Sequence, residues 1–102
     1  MAQIVENSNE SQEFPCNSTL THACKLSIQQ DKPILLDYWE GSVKKTVFFG
    51  LRTNEEKLLV RSEDEYTSPI SKIYKVGKEF IIITENSIYL VDNDLPYRAI
   101  SQ

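Results

Sequence analysis

Residues Ile70–Asn93 read ISKIYKVGKEFIIITENSIYLVDN. Three runs rich in β-branched and aromatic residues are punctuated by Gly77-Lys78 and Glu85-Asn86. A glycine in first place suits a two-residue type II′ turn, and asparagine tolerates the positive φ of a second tight turn. The stretch therefore predicts three consecutive antiparallel strands. Side chains alternate along a strand, so these turns sort the apolar residues into two sets. Tyr74, Val76, Ile81, Ile83, Ile88 and Leu90 fall on one face. Ile73, Phe80, Ile82, Tyr89 and Val91 fall on the other. A strand with one wet face alternates apolar and polar residues, but Phe80–Thr84 is apolar on both sides. Something must cover each side.

Working outward, Ile34–Glu40 and Lys45–Arg52 read as a hairpin across Gly41-Ser42-Val43-Lys44. Pairing Glu40 with Lys45 puts Tyr38 opposite Val47, Leu36 opposite Phe49 and Ile34 opposite Leu51, all on one face. A one-residue slip would mix the faces, which favours this register. A second turn at Thr53-Asn54-Glu55-Glu56 pairs Arg52 with Lys57 and adds Leu58, Val60 and Ser62 to the same inner face. The opposite face is mixed. Trp39, Phe48 and Leu59 stand where solvent belongs, among Lys44, Lys45, Arg52, Lys57 and Arg61.

Upstream, Leu20, Cys24, Leu26 and Ile28 alternate, which suggests a strand over residues 23–29. Ser18 and Thr19 are also competent helix caps. Residues 1–13 are polar, with Ile4 and Val5 as the sizeable apolar exceptions, and are expected to form a disordered arm. Residues 63–69 form an acidic connection, and residues 96–102 read as a C-terminal tail.

The expected fold is thus a single all-β domain over residues 14–95. It is an antiparallel meander of about six short strands, curled into a small barrel or a two-sheet sandwich.

Composition narrows the function classes. The chain has 102 residues and a net charge of −4, enough for one domain with a modest core. An acidic whole argues against binding dominated by phosphate neutralisation. The middle is more basic, with eight Lys or Arg against six Asp or Glu in residues 41–80. No apolar run approaches the ~18 residues of a membrane span. The opening MAQIVENSNE lacks the basic and apolar regions of a secretory signal. The expected location is cytoplasmic, of a cell or of an infected host, and Cys16 and Cys24 are expected as reduced thiols.

Chemistry-bearing patterns are sparse. His22 and Cys24 would share a face on a strand, but no third group orients them. Cys16, His22 and Cys24 fall one ligand short of a structural zinc site. Gly41, Gly50 and Gly77 lie apart and form no phosphate-binding loop. No catalytic residue, metal or cofactor is expected.

The sequence instead predicts a non-enzymatic protein-interaction or regulatory module, of the accessory or inhibitory kind that phages and viruses encode. It would act through an exposed apolar sheet face on another protein or on a second copy of itself. The candidate contact residues are Trp39, Phe48, Leu59, Arg52, Arg61, Phe80, Ile82 and Tyr89. The alternative is a small β-barrel binding single-stranded nucleic acid, with Trp39 and Phe48 as stacking aromatics among Arg52, Lys57 and Arg61.

Overall fold

The computed structural model describes residues 14–100. The predicted arm at residues 1–13 lies outside the described residues. Two mixed four-stranded sheets and one long helix form three layers. The elements, in chain order, are α1 (Asn17–Gln30), β1 (Ile34–Leu35), α2 (Trp39–Val43), β2 (Phe48–Leu51), β3 (Lys57–Ser62), β4 (Glu65–Tyr66), β5 (Ile70–Val76), β6 (Glu79–Thr84), β7 (Ile88–Asp92) and β8 (Tyr97–Ala99).

The first sheet is ordered β1-β7-β6-β5. Its β5-β6-β7 portion is the expected antiparallel meander. Val76 pairs with Glu79 across Gly77-Lys78, and Ile83 pairs with Ile88. Gly77 adopts φ 60, a left-handed conformation that glycine takes without a Cβ penalty. The Thr84 amide donates to the Ser87 carbonyl, which closes the second turn over Glu85-Asn86.

The two apolar faces fall as the turns predict. Ile81, Ile83, Ile88 and Leu90 pack in one cluster, with Val76 beside them. Ile82 and Val91 pack in the other, with Ile73, Phe80 and Tyr89 beside them.

Each face has its own cover. On the first lies α1, whose Ala23 is fully buried against the isoleucines, together with Trp39. The expectation of a strand at 23–29 is therefore corrected to a helix. Thr19, Leu20, Ala23, Leu26 and Ser27 recur at helical spacing and form its inward side. Thr19 and Ala23 are small, so the helical signal is weak. Leu20, Cys24, Leu26 and Ile28 imitate period two, yet Ile28 points to solvent.

Both ends of α1 are tied to β6. The N-cap Cys16 makes no side-chain cap bond to the helix. Its amide donates to the Glu79 carboxylate at 3.1 Å, so a carboxylate from the sheet sits at the positive end of the helix. At the other end Asp31 turns left-handed, and the Lys32 ammonium donates to the Thr84 carbonyl at 2.7 Å. A 14-residue helix is ~21 Å long and a six-residue strand ~20 Å, so the two lie matched end to end.

The second sheet, ordered β4-β3-β2-β8, covers the opposite face. Phe49 and Leu59 from this sheet meet Ile82 and Val91 from the first, with Tyr38, Val47 and Leu95 completing the core. The Phe49 and Phe80 rings bridge the layers at 6.0 Å.

Three further expectations are corrected. The hairpin across residues 41–44 is not formed. Ile34 and Leu35 pair in parallel with Ile88 and Tyr89, and α2 follows. Ile34, expected on the face of Tyr38, packs with Trp39 instead, and Leu36 is exposed. The short helix sends Tyr38 into the inter-sheet core, as the hairpin register predicts, and Trp39 under α1. Gly41 makes this possible: a Cβ there would lie 2.7 Å from the Val47 side chain.

The β2–β3 register also differs by one residue. Leu51 pairs with Lys57 and Phe49 with Leu59. Glu55 adopts φ 73, so the loop is three residues long and ends on a left-handed residue. Without a glycine or asparagine at position 55, nothing local announced this. Leu59 accordingly joins the inner face in place of Leu58 and Val60.

Finally, residues 97–99, read as tail, form β8 in parallel with β2. The chain is β-rich, but the sheets are mixed and close no barrel among the described residues.

One polar contact locks α2 to the first sheet. The fully buried Ser42 hydroxyl donates to the Trp39 carbonyl at 2.7 Å and accepts from the Asp92 amide at 2.9 Å. Alanine at position 42 would strand that amide, and a buried unpaired donor costs about 1–3 kcal/mol. Urea denaturation of Ser42→Ala is expected to show a loss of that size with an unchanged m-value.

Candidate functional site: the outer face of the second sheet

With both faces of β6 covered, Phe14, Ile28, Leu36 and Tyr74 are exposed elsewhere, while the far side of the second sheet still offers an apolar groove. Side chains there follow from the register. Val60 pairs with both Phe48 and Tyr66, so these three form one row across β2, β3 and β4. In the next row Leu58, Gly50 and Arg98 stand side by side.

Gly50 leaves a gap that Val60 and Ile100 fill. A Cβ at position 50 would lie 2.8 Å from Val60 and 3.0 Å from Ile100. The resulting shallow groove encloses about 490 Å³, floored by Phe48, Val60 and Ile100. Tyr66 is 52% exposed at one side. The Arg98 guanidinium lies 4.7 Å from the centre of the Phe48 ring, a cation–π distance. Glu63 lines the same groove from the β3–β4 turn. Neither Arg98 nor Glu63 forms an ion pair among the described residues.

The eight residues expected to make contacts are scattered over the fold. Trp39, Leu59 and Ile82 are core residues, and the Trp39 indole Nε1 has no hydrogen-bond partner among the described residues. Phe80 and Tyr89 are half-buried between the sheets, with Tyr89 edge-on to Tyr38 at 5.2 Å. Arg52 is engaged by Glu56 at 3.1 Å. Arg61 sits over the Tyr38 ring between Asp37 and Glu65, 3.9 and 3.7 Å away. Phe48 alone of the eight lines the groove. Tyr66, Arg98 and Ile100 were missed. The parallel pairing that brings β8 beside β2 crosses 48 positions, from Gly50 to Arg98, and leaves no local turn signal.

A stacking platform of Trp39 with Phe48 does not assemble, because these residues belong to different layers. Catalytic and metal-binding arrangements fare no better. On α1, His22 and Cys24 are about 200° apart around the axis, not on one face. Among the described residues, no three His, Cys, Asp or Glu side chains gather as metal ligands. No described helix is long and apolar enough to cross a membrane.

Away from the groove, Tyr38 lies buried in the core between the sheets. Burial, with Tyr89 and the Asp37 carboxylate adding, pushes its phenol from the usual 10 up to about 12, and Arg61 opposes this. Burial raises Tyr89 as well. A raised phenol means that the fold prefers the neutral form. Its contribution is fully present below pH 10 and is lost as pH rises from 10 towards about 12. Melting temperature is expected to fall across that window, and Tyr38→Phe is expected to flatten the fall.

No family model, curated protein or solved structure matches the chain.

Proposed function

We propose that the protein is a non-catalytic interaction module that binds a protein partner, another protein or a second copy of itself, through the outer face of its second sheet. The observation that carries this reading is Arg98. Its guanidinium lies over the Phe48 ring, on an apolar floor, with no acidic partner among the described residues. Aromatic residues and arginine are the side chains most enriched where protein interfaces gain their affinity. A half-exposed tyrosine beside them supplies rigid contact area with a polar tip.

The test is comparative capture under native conditions with wild-type protein and Phe48→Glu as baits. A protein retained by the wild type and lost by the folded variant supports the reading. An identical set of captured proteins for both baits, from a wild type that does not self-associate, contradicts it. Single-stranded nucleic acid in the wild-type eluate, released steeply by salt, would favour the alternative reading instead.

A further inference from the structure

The outer face is complementary to itself. Arg98 stands on β8, at one edge of the second sheet, and the β3–β4 turn that carries Glu63 stands at the opposite edge. Between them lie Phe48 and Val60, with Tyr66 and Ile100 flanking. One cation, one anion and an apolar middle are the elements of an isologous contact, in which each copy offers the same patch and residue i meets j while j meets i.

A two-fold axis lying in the plane of the face, midway between Arg98 and Glu63, brings each arginine to the other copy's glutamate. Both charges lack an ion-pair partner within the chain among the described residues. The same rotation lays the two Phe48–Val60 strips against each other.

We infer that the partner at this face is a second copy of the chain, held by reciprocal Arg98–Glu63 pairs around a Phe48 centre. This deepens the reading of the face as a protein-binding surface and rests on it.

The test is sedimentation velocity on the full chain over a concentration series. Four samples are compared: wild type, Arg98→Glu, Glu63→Arg, and an equal mixture of the two variants. Circular dichroism checks that each is folded. The wild type is expected to dimerise with rising concentration. Each single variant sets like charges opposite each other twice in its own dimer, and its self-association is expected to weaken on the order of 100-fold. The mixture restores both opposite-charge pairs, so a heterodimer is expected where neither variant alone dimerises.

A wild type that stays monomeric throughout, single variants that dimerise like the wild type, or a mixture that stays monomeric would each overturn the inference. The broader reading fails separately. A monomeric wild type that still captures a different protein in a Phe48-dependent way overturns only the second copy. A monomeric wild type whose captures ignore Phe48→Glu overturns both.

Discussion

Phe49→Ala is expected to lower the unfolding free energy by about 3–5 kcal/mol, the range for deleting a buried aromatic ring. Phe49 is fully buried and belongs to the cluster that joins the two sheets. Its ring lies 4.8 Å from Tyr97 in a stacked arrangement and 6.0 Å from Phe80 across the layer. Alanine would remove the ring, open a void that the sheets cannot close without sliding, and leave β8 without its stacking partner. A 102-residue domain with typical stability of ~5–15 kcal/mol would keep little margin. Thermal melting and urea denaturation should agree on this loss. A change below about 1 kcal/mol would show that Phe49 does not sit between two sheets.

Phe48→Glu, one residue away, is expected to behave in the opposite manner. Phe48 is half-buried on the outer face, against Val60 in the adjacent strand and beneath Arg98. A carboxylate at position 48 would lie within reach of that guanidinium, so stability should change by about 1 kcal/mol or less. Association through the face should be lost, because the carboxylate must be desolvated in the apolar centre of the interface and would occupy the Arg98 guanidinium that the partner needs. The pair of substitutions separates inside from outside within two adjacent residues. A Phe48→Glu chain that unfolds would place Phe48 in the core instead.

Much of the first sheet was legible because its turns are local. Gly77 and Asn86 mark two-residue connections, and alternation between them assigns Ile73, Val76, Phe80–Ile83 and Ile88–Val91 to their faces, whereas Ile70 lies beyond a bulge on the opposite face and Tyr74 is exposed. The need for cover on both sides was equally legible, and both covers come from within the chain. What supplied them was not. Helix α1 carries its inward face on Thr19 and Ala23, small side chains with little hydrophobic signal, and its N-terminus is capped by Glu79 from 63 positions away. The slip between β2 and β3 turns on the left-handed conformation of Glu55, which its residue type does not favour. The candidate site was legible only at Phe48. Arg98 and Ile100 reach it through a parallel pairing with no local signature, and Tyr66 through a two-residue strand.

The most direct test of the interaction face is a dilution series of amide spectra on the wild-type chain. The account predicts concentration-dependent shifts at Phe48, Val60, Tyr66, Arg98 and Ile100, with the exposed side of α1, including Ile28, unchanged. Shifts confined to α1, or to the free edge at Lys72 and Lys75, would contradict it.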